Sequence, residues 1–130
     1  MEYNVVHMGT IIAITRKDQW EKAIQKGNYT RSTIHQALEE VGFIHCTSPD
    51  QTMEIIPRFA DQKDVILLLI DTDKVIAPLK YESPKSGRAG LFPHIYGPLN
   101  IDAVYETVEM KKDKENNFIK PAELTDLIKN

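Results

Sequence analysis

The chain has 130 residues, 42% of them hydrophobic, which suits one domain of ordinary size with material for a core. A formal charge of -3 excludes a generic phosphate-gripping surface, so nucleic acid is not the expected partner, although Lys80, Lys85 and Arg88 fall close together. Cys46 is the single cysteine, which rules out an intramolecular disulfide or a metal site built on several cysteines and fits a reducing compartment.

At the N-terminus, Met1 to His7 lacks a basic segment followed by an apolar one, so no signal peptide is expected. Thr10 to Ile14 is rich in β-branched residues and reads as a buried strand. Thr15 to Asp18 has the spacing of a helix start, Trp20, Ala23 and Ile24 continue it, and Gly27 stops it. Thr30 to Glu40 reads as a second short helix or a helical turn with a loop, and Gly42 to Thr47 as a strand. Ser48-Pro49-Asp50-Gln51 predicts a helix beginning at Ser48, with Met53, Ile56 and Phe59 on one face and Pro57 perturbing the last turns.

Asp64 to Asp71 is a continuous apolar run, predicted as a strand covered on both faces; at that length it cannot cross a bilayer, which needs about 20 residues. Leu79 to Glu82 alternates, and Ser83 to Gly90 is a loop by composition. Pro93 and Pro98 flank His94 and argue for an edge strand or a shaped loop. Ile101 to Met110 predicts a strand, Lys111 to Asn117 a charged turn, and Pro121 to Ile128 a terminal helix. Strand-helix alternation is irregular, so the expected class is α+β with a largely antiparallel sheet, in a single cytoplasmic domain over residues 1–130 with no membrane partner.

Two histidines stand inside apolar runs, His45 in Gly42 to Thr47 and His94 in Leu91 to Leu99. Each is accounted for either as a satisfied hydrogen-bonder at a core edge or as a group aimed into a pocket. The pocket account gains from the Thr47 and Ser48 hydroxyls near His45, from Tyr96 on the same face as His94, from Glu82 at a strand end as a general base, and from Arg88 as a fork of donors for phosphate. Cys46 points away from His45 on a strand, so a thiol-imidazole pair is disfavoured. The four histidines show no close ligand spacing, and no metal is expected.

These strings, with Ile14-Thr15, Trp20, Gly27, Tyr29, Gln51, Asp64 to Leu68 and Leu79 to Glu82, resemble the bacterial domain of unknown function 952 family across about residues 10 to 105. That family is similar to the ADP-ribosyltransferase-like fold. The resemblance implies a split, bent antiparallel sheet with flanking helices and a cleft for NAD, as substrate, or a related nucleotide. His45 matches the second-strand histidine of the RNA 2′-phosphotransferase group, whereas Ala13 stands at the position of the first-strand histidine and His7 lies further upstream. The expected site is therefore His45, His94 and Glu82 for chemistry, with Thr47, Ser48, Arg88 and Tyr96 for binding. The alternatives are a module that holds a nucleotide or small anion without turnover and, ranked last, a transferase of the glutathione type.

Overall fold

The apolar run at 65–70 sets the frame of the molecule. The computed structural model describes residues 9–87 and 89–129, and there the run forms β4 (Val65–Asp71), the middle strand of a three-stranded antiparallel sheet. Its neighbours are β1 (Thr10–Arg16) and β8 (Val104–Glu109). Ile66, Leu68 and Ile70 pack into one core with Ile11 and Ala13, while Val65, Leu67 and Leu69 pack into a second with Ile12 and Ile14. A strand covered on both faces has no solvent side to alternate with, which is why this segment is apolar throughout.

A second three-stranded antiparallel sheet has the order β3-β6-β5, from β3 (Ile44–His45), β6 (Phe92–Ile95) and β5 (Leu79–Glu82). Ile12 and Thr47 bridge the two sheets, each N–H donating to the other's carbonyl at 2.8 Å. Smaller antiparallel pairs join β2 (Asn28–Tyr29) to β7 (Leu99–Asn100), and β9 (Lys111–Lys112) to β10 (Phe118–Ile119). The predicted α+β class with antiparallel pairing stands at this level.

Helix α1 (Lys17–Lys26) ends at Gly27, whose φ of +101° an L side chain resists. Its start is capped by Gln19 rather than Asp18: Oε1 accepts from the Arg16 N–H at 3.2 Å and the Thr15 hydroxyl at 3.0 Å. Of the two forms expected at 30–40, the helical turn with a loop is the one found: only α2 (Leu38–Val41) is helical. Thr33 Oγ1 accepts the N–H groups of His35 and Gln36, both at 3.1 Å, and this local bonding holds the preceding residues in a loop. Similarly, 48–51 is a turn, so α3 (Thr52–Ile55) starts later than Ser48; Pro57 converts its continuation, Ile56–Phe59, to a 3₁₀ turn. Helix α4 (Ala122–Lys129) closes the chain where expected.

The prolines misdirect at one point. Pro93 lies in β6, the central strand of its sheet, not in an edge strand or loop. Its carbonyl accepts from the Cys46 N–H at 3.0 Å, so its missing N–H lies on the same side, toward β3. There the ladder ends after His45, since Pro93 has no N–H to return a bond to β3, and the chain goes on to bridge β1 through Thr47 and Ile12. Among the described residues no helix is long and apolar enough to cross a membrane.

Candidate functional site

Pairing between β3 and β6 places His45 directly opposite His94. Because the adjacent pair, Cys46 and Pro93, is hydrogen-bonded, His45 and His94 occupy a non-hydrogen-bonded pair, the position where cross-strand side chains come closest. Their ring centroids lie 5.5 Å apart with planes at 65°. Both line one open cleft of about 670 Å³, with Phe43, Glu82, Tyr96 and Lys85 among its walls. The two imidazoles therefore share a single hollow.

Each ring is anchored from its outer side. Beyond β3, Ser32 Oγ lies 2.9 Å from His45 Nδ1 and donates its own proton to the Phe43 carbonyl at 2.6 Å. Having one proton, Ser32 can only accept from the ring, so His45 carries its hydrogen on Nδ1. On the opposite flank, beyond β6, His94 Nδ1 donates to Glu82 Oε1 at 2.8 Å, and the Tyr96 hydroxyl donates to the same oxygen at 2.5 Å. With each Nδ1 engaged by Ser32 or Glu82, Nε2 is the ring nitrogen left to each histidine for a ligand in the cleft that both line. In neutral His45 that Nε2 atom is a hydrogen-bond acceptor.

The electrostatics keep that state. Donation from Tyr96, then from His94, holds the Glu82 carboxyl below its ordinary value, so it stays ionised and accepts. The same bond raises the Tyr96 phenol, which remains a donor. Desolvation by the cleft walls, then the neighbouring His94, lowers His45 and keeps it neutral near pH 7. Burial pushes the Cys46 thiol far up, which fits its expected inertness.

Aromatic packing completes the floor. Phe43 stacks on His94 with centroids 4.1 Å apart and also contacts His45 at 4.7 Å and Tyr96 at 5.2 Å. Lys80 sits over the Tyr96 ring at 4.9 Å.

The expected residues divide. His45, His94, Glu82 and Tyr96 come together. Glu82 Oε1 accepts from both His94 and Tyr96, so the carboxylate orients His94 from its edge. Thr47 lines the cleft, but its buried hydroxyl is bonded to that of Thr52 at 2.7 Å. Ser48 is not a cleft residue: its N–H goes to Gln51 Oε1 at 2.9 Å and its hydroxyl to Asp50 at 2.6 Å, closing the turn before α3. Arg88 and His7 lie outside the described residues.

Ala13 faces the core shared with Ile44 and Ile95, whereas Ile12 and Ile14 line the cleft. The strand position that reaches the hollow is thus one residue either side of Ala13. Sequence reasoning missed Ser32 and Phe43; the second was legible as the i−2 neighbour of His45 on one strand face, the first only through the fold.

The sequence matches the DUF952 family, described as a protein of unknown function, over residues 14–107. No curated protein matches it. Among solved structures it is similar to the crystal structure of protein CC0527 from Caulobacter crescentus, with a TM-score of 0.76 and 25% identity, covering 89% of this chain and 98% of that one. The solution structure of CC0527 gives a TM-score of 0.68 and 26% identity over 85% of this chain and 91% of that one. A match running through both histidine strands and across most of the sequence places this chain in the DUF952 family.

Proposed function

We propose that the cleft binds NAD or a related nucleotide, as an ADP-ribosyltransferase-like domain, with ribose hydroxyls donating to His45 and His94. The observation that carries this reading is the pair of imidazoles lining one cleft, each with its Nδ1 already engaged by Ser32 or Glu82. A neutral imidazole held with its hydrogen on Nδ1 accepts at Nε2, and a sugar hydroxyl is a donor that fits there. The Nδ1 hydrogens are spent on Ser32 and Glu82, so neutral rings accept at Nε2 and do not donate to sugar or phosphate oxygens. Arg58 and Lys85 at the cleft walls suit the phosphates, and Phe43 with Tyr96 suits a planar base.

The chemistry proposed here uses no covalent nucleophile. The Cys46 thiol is buried, and the Ser32 and Thr47 hydroxyls are engaged. Transfer of a nucleotide-linked group through an oxocarbenium-like centre needs fixed negative charge nearby, and the ionised Glu82 supplies it.

A second reading, binding without turnover, is favoured by one feature: Glu82 Oε1 already accepts from two side chains, so it is poorly placed to activate an acceptor. Titration with NAD and ADP-ribose, followed by the imidazole resonances of His45 and His94, tests the binding. Both sets of signals are expected to move, and unchanged spectra at millimolar ligand contradict it. Release of nicotinamide then separates the enzyme from the binding module.

A further inference from the structure

We propose that β5 is a self-association edge, through which two copies of this chain pair antiparallel about a two-fold axis at Tyr81. In the order β3-β6-β5 it is the end strand, and among the described residues no strand pairs with its outer side. An end strand presents backbone groups that can pair with another chain. Which groups face outward follows from the ladder. Pro93 accepts from Cys46 and so faces β3, which leaves Phe92 and His94 to face β5 and bond Glu82 and Lys80. The Tyr96 N–H donates to the Pro78 carbonyl at 2.7 Å and continues the same alternation. Leu79 and Tyr81 therefore turn their N–H and carbonyl groups away from β6.

The strand is complementary to itself. With Tyr81 opposite the partner's Tyr81, two N–H···O bonds are exchanged across the axis, and Leu79 bonds Ser83 of the partner subunit. In that register Lys80 stands opposite the partner's Glu82, twice over by symmetry. These are non-hydrogen-bonded pairs, where cross-strand side chains come closest, about 4.5–5.5 Å between Cβ atoms. Sliding by two residues sets Lys80 against the partner's Lys80, or Glu82 against the partner's Glu82, so charge selects the one alignment. Tyr81, 52% exposed on the end strand, then meets its own copy at the axis.

Pairing of this kind joins the two β3-β6-β5 sheets into one of six strands. Lys80, over the Tyr96 ring, and Glu82, bonded to His94, lie on the same face of β5. The partner's Lys80 thus arrives beside the carboxylate that orients His94, whose side chain is 38% exposed and within its reach. A partner's cation there adds to the donors that already keep Glu82 ionised. The strand is only four residues long, and interfaces below about 1,200 Å² belong to weak complexes, so the association depends on concentration. This inference rests on the backbone ladder and the order of charges along β5, and is independent of the nucleotide reading.

The test is the oligomeric state of the full chain without added ligand, followed by small-angle scattering and NMR correlation times from micromolar to millimolar protein. The scattering mass is expected to double across that range, while hydrogen exchange at the Tyr81 amide slows. Tyr81→Pro removes an outward N–H and no bond to β6, and should leave a folded monomer. Lys80→Glu alone and Glu82→Lys alone each set like charges opposite one another and should weaken association by about 10-fold or more. Mixing those two variants restores both opposite-charge pairs and should give a heterodimer. A wild-type monomer at every concentration overturns the proposal, as does a dimer that survives Tyr81→Pro or a mixture no more associated than either charge variant alone. A monomer whose Leu79 and Tyr81 amides are already protected overturns it too, because another segment of the same chain then covers the edge.

Discussion

Phe43 stacks on His94 with planes 26° from parallel, so an apolar side chain fixes the buried imidazole that Glu82 orients from its edge. Stacking of this kind contributes about 0.5–1.5 kcal/mol beyond the area buried. Phe43→Leu keeps the volume apolar and removes the ring. Affinity for ADP-ribose, measured by calorimetry, should fall by roughly 2- to 10-fold. Unchanged affinity would mean that the aromatic floor is mere packing.

Tyr96→Phe removes the largest influence on Glu82. The Glu82 carboxyl, held below its ordinary 4.5, should then titrate closer to that value in carbon-detected NMR. The sign follows from the depression: the interaction stabilises the fold above pH 4.5 and is lost as pH falls through the folded value. A Glu82 midpoint that does not move in Tyr96→Phe contradicts the shared-oxygen arrangement.

His45 behaves in the corresponding way for a base. Its folded value lies below the ordinary 6.5, so the unfolded chain takes up the proton first as pH falls. Stability from this group is present above pH 6.5 and declines below it, and hydroxyl donors lose their acceptor when Nε2 is protonated. The imidazole titration curve should have its midpoint below 6.5; a midpoint above it would show that the ring is held charged.

Ala13→His does not restore a missing cleft histidine. Ala13 is 1% exposed and packs in the core with Ile11, Ile44 and Ile95. An imidazole there overpacks the core and buries a polar group, for a combined cost of about 3 kcal/mol or more in urea unfolding. Ile14→His, on the cleft face, should be better tolerated. A stable Ala13→His protein with enhanced nucleotide binding would reverse this assignment of faces.

Much of the frame was legible because it depends on local pattern. The run at 65–70 could only be a doubly covered strand, and Trp20 with Gly27 delimited α1. The meeting of His45 and His94 was also foreseen from their apolar settings. Pro93 misled because a proline is tolerated in a central strand where its absent N–H falls at the end of a neighbouring ladder, and β3 is only two residues long. Ser48 and Thr47 misled because a hydroxyl near a histidine in sequence is as readily spent on a turn or on Thr52. Ser32 carried no signal at all: it meets His45 through a loop whose path is set by tertiary contacts.

The tautomeric state of the two imidazoles tests the account most directly. Long-range nitrogen-proton correlation at neutral pH distinguishes protonated from unprotonated ring nitrogens in each. Both rings should show hydrogen on Nδ1, and His45 should show a bare Nε2. Hydrogen on Nε2 of His45, in place of Nδ1, would remove that acceptor from the cleft and contradict the nucleotide reading.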